Sequence, residues 1–197
     1  MGLVRREVQP DRPPPASTID LLWQLDNPDP DVRREAALGL DGVAVAVRPL
    51  LDRVANERNP LVRDAMVTTL AAHDTAVVAE GLATLLASDD ASLRMVAAEA
   101  LATMPRSVPA VVPRLLRDPD HDVRVMTATV LANLPHPAAT DWLAEMIRDD
   151  PHPNVVAAAI DALLPSLGAE HAELLEGAAR RFPADPFLRF TVEAALR

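Results

Sequence analysis

The chain of 197 residues contains no cysteine, no tyrosine and no lysine, and only six glycines. Without cysteine there is no disulfide and no thiolate ligand for a metal, a usage that fits a reducing compartment. Aromatic residues make up 3% of the chain, so its 49% hydrophobic content is almost all alanine, valine and leucine. Such small and branched side chains suit close-packed helices better than a sheet sandwich. All 19 basic residues are arginine, set against 29 acids for a formal charge of −10. A nucleic-acid binder normally carries a clustered basic face, so this balance argues against DNA, RNA and anionic membrane surfaces. No apolar run approaches the roughly eighteen residues of a membrane span. Arg5-Arg6 is followed by Gln9, Pro10 and Asp11, where an export signal needs an apolar stretch, so no signal peptide is expected. These features predict a soluble, cytoplasmic protein, and the lysine-free, Ala/Arg/Pro-rich usage suits a GC-rich bacterial genome.

What the chain does have is a phrase repeated six times. The copies are Asp29-Pro30-Asp31-Val32-Arg33, Asn59-Pro60-Leu61-Val62-Arg63, Asp90-Ala91-Ser92-Leu93-Arg94 and Asp120-His121-Asp122-Val123-Arg124, followed by His152-Pro153-Asn154-Val155-Val156 and Asp185-Pro186-Phe187-Leu188-Arg189. The apolar anchors Val32, Val62, Leu93, Val123, Val155 and Leu188 lie 30, 31, 30, 32 and 33 residues apart. Eight residues after each anchor comes a leucine: Leu40, Leu70, Leu101, Leu131, Leu163 and Leu196. Self-similarity at this period marks a stacked array in which no repeat buries its apolar face alone.

Each phrase reads as a helix start. An Asp or Asn three residues before the anchor places a side-chain oxygen against free N–H groups of the first turn. Proline in the next place loses nothing, because its missing N–H has no helical partner there. His152 stands in for the acid in the fifth copy, which predicts the weakest start. Helices are expected at about 30–40, 60–71, 91–103, 121–133, 153–164 and 186–196. A second set precedes the phrases, at about 18–25, 44–56, 75–87, 108–117, 138–148 and 169–181. Ser17 or Thr18 caps the first of these, whose apolar residues are Ile19, Leu22 and Trp23. Gly42 and Gly168 are the plausible glycine caps, while Pro105 and Pro135 stop the third and fourth phrase helices. Residues 1–16, with three consecutive prolines, read as a disordered or extended tail, and residues 17–197 as a single repeat domain.

On a helical wheel the anchor and the residues four, seven and eight places later share the inward side. The residue five places later is apolar in five copies (Ala37, Val67, Ala98, Ala128, Ile160) and is Glu193 in the sixth. A position apolar in every copy but the last is what contact with a following repeat demands, so the array is expected to close at Arg197. All three phenylalanines, Phe182, Phe187 and Phe190, fall in the last repeat and are expected to build a small terminal core. A homodimer through that end is the lesser reading, and a monomer is expected.

The pattern D-x-x-[VL]-R followed by leucine resembles the short bacterial HEAT-like repeat, the kind also found in phycobilisome lyase subunits, over residues 18–197. The resemblance implies an all-α, right-handed α-solenoid of about six two-helix repeats, with the phrase helices lining its concave side. It also implies that Arg33, Arg63, Arg94, Arg124 and Arg189 pair with acids of adjacent repeats in a structural ladder, interrupted at Val156. It does not transfer an activity.

Catalytic constellations are missing. Asp118-x-Asp120-x-Asp122 lacks the glycine and the distal glutamate of a calcium loop, those places being Val123 and Thr129, so helix capping explains the acids better. The five histidines are dispersed, and His121 and His152, in similar places of successive repeats, make a weak metal candidate. Glu170-His171 is the reverse of the His-Glu dipeptide that ligates iron in HEAT-like hydroxylases. No metal and no cofactor is therefore assigned. Positions two and six after the anchor point away from the core: Arg34, Asp64, Met95, Val125, Ala157 and Phe190, then Leu38, Thr68, Glu99, Thr129, Asp161 and Ala194. From Met95 onward the first series turns apolar, as a partner site does, unless tilted neighbours cover it. The function expected is a non-enzymatic protein-binding scaffold, adaptor or assembly factor, binding through Arg34, Asp64, Met95, Glu99, Val125, Thr129 and Phe190. The alternative is an accessory subunit of a cofactor-handling enzyme resembling the phycobilin lyases.

Overall fold

The computed structural model describes residues 17–196, so the tail expected at residues 1–16 lies outside the described residues. Among them are twelve α-helices and no strand. Six first helices, α1 (Thr18–Gln24), α3 (Val47–Val54), α5 (Ala76–Thr84), α7 (Val108–Leu115), α9 (Ala139–Asp149) and α11 (Ala172–Arg181), alternate with six second helices. The latter are α2 (Pro30–Gly39), α4 (Pro60–His73), α6 (Ala91–Ala102), α8 (His121–Asn133), α10 (Pro153–Leu163) and α12 (Pro186–Ala195). Second helices stack on one another throughout, α2 on α4 and so on to α12, while contact between successive first helices is sparser. The more closely packed layer is the inner one, so the array is an α-solenoid with its second helices on the concave side.

The helix starts follow the predicted chemistry. Asp29, Asn59, Asp90 and Asp120 each accept the N–H two residues ahead at 2.9 Å, and Asp185 accepts from Leu188 at 2.8 Å. His152 also caps, but its Nδ1 accepts from the Asn154 N–H at a longer 3.3 Å. Ser17 and Asp20 form a reciprocal capping box at α1. Anchors Val62, Leu93, Val123, Val155 and Leu188 are buried, as are all six residues four places on, from Ala36 to Val192. Five of the six later leucines are buried too, whereas Leu196 is exposed. A buried polar bond also links two repeats: the Thr69 hydroxyl donates to the Ala37 carbonyl of the preceding repeat at 2.9 Å.

Three expectations are corrected. On α1 the inward face is Leu21, Leu22 and Leu25, and Ile19 and Trp23 are exposed, so the helix turns a different side to the core from the one the i, i+4 spacing implied. Gly42 takes the left-handed conformation past the end of α2, with φ of 71°, but Gly168 does not cap α10. It lies at φ −133° and donates its N–H to His171 Nδ1, opening the turn into α11. Finally, the phenylalanines do not form a terminal core. Phe182 packs partly against it, under the Arg181 guanidinium, whereas Phe187 and Phe190 are 61% and 66% exposed. The space they were expected to fill is taken by Leu175, Ala178, Leu188 and Val192.

Candidate functional site

The repeats are tied together along one edge by the arginines that follow the anchors. Arg33 grips Glu57 of the next repeat through two bonds, at 2.8 and 2.9 Å, and also donates to the Asn27 carbonyl. Burial works to raise the Glu57 carboxyl, but Arg33 and the N–H groups of Arg58 and Asn59 hold it below its ordinary value. Arg63 reaches Asp90 at 2.9 Å and the Glu57 carbonyl at 2.8 Å. Arg124 and Asp150, both buried, pair at 2.7 and 3.1 Å, and the carboxylate raises the arginine above its usual range.

The ladder is less regular than the resemblance implies. Among the described residues, Arg94 finds only the Ser88 carbonyl, at 2.7 Å, and Arg189 is exposed with no acidic partner. In the fifth repeat, where Val156 replaces the arginine and is buried, Arg181 arrives from α11 instead. It donates to the Ile147, Arg148 and Asp150 carbonyls at the end of α9. The gap at Val156 is therefore bridged from the opposite helix layer.

A further tie has no counterpart in the repeated phrase. Asp74, at the end of α4, accepts from the N–H groups of Arg106 and Ser107 and from the Ser107 hydroxyl, all one repeat later. On the outer layer, Arg53 pairs with Asp26, Arg114 with Glu80 and Arg117 with Glu145. The suspected calcium acids are occupied locally, Asp118 accepting from the Asp120 N–H and Asp120 from the Asp122 N–H. His121 and His152 are brought together, but with ring centroids 4.0 Å apart and planes 21° from parallel. Stacked imidazoles aim their in-plane nitrogens past one another instead of at one ion. No group of three or more His, Asp or Glu among the described residues is placed to hold a metal.

Apart from these structural ties, the inner face is the candidate site. Between α4 and α6 lies an open groove of about 720 Å³, lined by Asp64, Thr68, Val96, Glu99 and Thr103. Asp64 and Glu99 are exposed and, among the described residues, take part in no ion pair. Met95 on α6 is 45% exposed beside them. Arg34 and Leu38 are exposed on α2, at one end of the face, and Phe190 on α12 at the other. The apolar stripe expected from Met95 onward is interrupted. Val125 and Thr129 are half-buried and Ala157 is buried, because α8 packs closely against both α6 and α10, and each of these positions is covered by its neighbouring helices. Exposed large apolar side chains on this face are thus Leu38, Met95 and, separately, Phe190.

The chain is similar in structure to an archaeal HEAT-like repeat protein from Thermococcus onnurineus NA1, at 14% identity over 90% of this chain and 85% of the other, with a TM-score of 0.45. It is also similar to human deoxyhypusine hydroxylase, at 17% identity, covering 91% and 83% of the two chains with a TM-score of 0.42. A designed armadillo repeat protein aligns at 17% identity over 91% and 98%, with a TM-score of 0.40. No curated protein matches the sequence. Residues 19–102 and 108–197 both match the family model for HEAT repeats, and the chain belongs to the HEAT-repeat family.

Proposed function

We propose that this chain is a non-enzymatic, cytoplasmic protein-binding scaffold whose partner lies against the inner face of the solenoid. One observation carries the reading. Many arginines and acids elsewhere serve as caps or as ties between repeats, whereas Asp64 and Glu99, in no ion pair among the described residues, stand on either side of the α4–α6 groove, next to the exposed Met95. Uncommitted carboxylates around a flexible, polarisable thioether favour a partner segment with an Arg or Lys beside an apolar side chain. Val125 and Thr129 extend the surface toward α8, and Arg34 marks its far end. Net charge of −10 supports a protein partner over nucleic acid or a membrane surface, and no helix among the described residues is long and apolar enough to cross a membrane. The narrower kinship with lyase-type subunits has only the repeat itself in its favour, and no aromatic side chain lines the α4–α6 groove.

The test is affinity capture from lysate of the source organism with the immobilised chain, identified by mass spectrometry. The double variant Met95→Glu, Glu99→Arg is expected to lose the captured protein while keeping the helical circular dichroism of the parent. Capture of the same protein by both would overturn the assignment of the groove. Visible absorbance of the natively purified chain would instead support the lyase-like reading.

A further inference from the structure

Two of the three phenylalanines stand exposed one helical turn apart on α12. The exposure of Phe187 does not come from its place in the last repeat. The residues equivalent to Phe187, immediately before each anchor, are exposed in all five other copies: Asp31, Leu61, Ser92, Asp122 and Asn154. Elsewhere that position is mostly polar, and here it is the largest apolar side chain the protein uses outside tryptophan. Phe187, Phe190 and the exposed Ala194 form one strip at i, i+3 and i+7. Along a single edge of this strip lie Arg189 and Glu193, also one turn apart, exposed, and in no ion pair among the described residues. Arginine four residues before glutamate is the weaker order for a pair within one helix, so neither charge is held by the other.

This arrangement is complementary to itself. We propose that α12 packs antiparallel against α12 of a second copy of the chain, about a two-fold axis level with Thr191. In that register Arg189 lies level with Glu193 of the second copy, and Glu193 with its Arg189, so two ion pairs form along one rim. The same register sets the two Phe190 rings side by side, offset by two residues, or about 3 Å of helix rise. Phe187 then falls within one residue of Ala194 of the second copy, where a small side chain leaves room for the ring. Charge and shape thus select one alignment from independent residues, as an isologous contact requires. Expecting a monomer rested on Phe187 and Phe190 being spent on a terminal core, which they are not. The proposal goes beyond the scaffold reading and stands without it, since it needs no partner protein.

A contact made by one helix face is at the small end of stable interfaces, so dissociation in the micromolar range is expected, on the order of 1–100 μM. Sedimentation equilibrium of the full chain across that range should show a mass rising from 21.2 kDa toward twice that value. Phe187→Asp with Phe190→Asp should hold it at the single-chain mass with unchanged helicity and melting temperature. Arg189→Glu should weaken the dimer roughly tenfold, because two rim pairs become repulsive. Combining Arg189→Glu with Glu193→Arg should restore it. A single-chain mass at every concentration overturns the proposal, as does a dimer indifferent to the phenylalanine substitutions. A dimer that the charge exchange fails to rescue overturns the register. If the chain stays monomeric and the phenylalanine variants lose a captured protein, the strip belongs to that protein and the self-contact is refuted, while the scaffold reading survives.

Discussion

Asp74 caps a helix it does not precede. Its Oδ1 accepts from the Ser107 N–H at 3.0 Å and from the Ser107 hydroxyl at 2.6 Å, and its Oδ2 from the Arg106 N–H and Nε at 3.2 and 3.0 Å. Two chemical features make this reach possible. Aspartate tolerates the left-handed backbone, φ 41° and ψ 58°, that turns the chain at the end of α4. Ser107, just before α7, has no side-chain cap of its own to offer that helix. The carboxylate of one repeat therefore satisfies the free donors at the start of the next.

Burial works to raise the Asp74 carboxyl, but the bonds from Ser107 and Arg106 outweigh it and hold the group below its ordinary 3.8. A carboxyl with a depressed folded pKa adds stability above its unfolded value and loses it as pH falls toward the folded one. Asp74→Asn keeps the left-handed turn but faces two donors with an amide NH2, and is expected to cost about 1–3 kcal/mol at neutral pH. The deficit should shrink as pH falls below about 4, where the unfolded parent takes up its proton at Asp74 before the folded one does. Urea unfolding at pH 7 and pH 3.5 measures both; an equal deficit at the two values would count against the ionised cap.

The ladder arginines are expected to differ sharply in worth. Arg124 and Asp150 are 8% and 6% exposed, so Asp150→Ala strands a buried guanidinium and should cost about 3–5 kcal/mol. Adding Arg124→Met should recover part of that loss, because the desolvation penalty goes with the charge. Arg94→Met, which removes no ion pair, should cost about 1 kcal/mol or less. Denaturant midpoints of the three variants check the order, and equal costs for Asp150→Ala and Arg94→Met would show the acid partner to be irrelevant.

Where each residue acts on its own neighbours in sequence, the chain was readable. The caps at Asp29, Asn59, Asp90, Asp120 and Asp185, the anchors and the helix boundaries all depend on local offsets that recur in each copy. Interactions that cross a whole repeat were not readable. Asp74 lies 33 residues from Ser107, Arg181 31 from Asp150, and neither belongs to the repeated phrase. The inner face was legible in part: Met95, Asp64 and Glu99 are exposed as the wheel requires. Val125, Thr129 and Ala157 are covered by neighbouring helices whose tilt no single-helix wheel contains.

Thr69 joins the first two repeats through a buried hydroxyl that donates to the Ala37 carbonyl. That carbonyl also accepts the Leu40 N–H at 3.3 Å, so it is not orphaned when the hydroxyl is lost. Thr69→Val, which keeps the shape, is therefore expected to cost only about 1 kcal/mol, a factor of roughly five in opening equilibria. In a one-dimensional array this loss should appear locally, as faster amide exchange in α1 and α2 with α8 to α12 unchanged. Uniform acceleration across all repeats would show that the array opens as one unit.

Two helical glycines should respond oppositely to a side chain. A Cβ on Gly81 would stand 2.5 Å from Leu51 Cδ2, where α3 and α5 approach closely. A Cβ on Gly177 would meet nothing nearer than an Arg180 nitrogen at 3.8 Å. Gly177→Ala in α11 should gain about 0.5–1 kcal/mol from helix propensity alone. Gly81→Ala offers the same propensity gain but must displace the half-buried Leu51, and Gly81→Val must also push a branched side chain between the helices. Gly81→Val is expected to lose about 1–3 kcal/mol by overpacking. Pairing it with Leu51→Ala should return much of that loss, since the clash is with the leucine end and not with backbone. Thermal unfolding of the three glycine variants and of the double variant tests the argument: failure of Leu51→Ala to relieve Gly81→Val would place the close approach elsewhere.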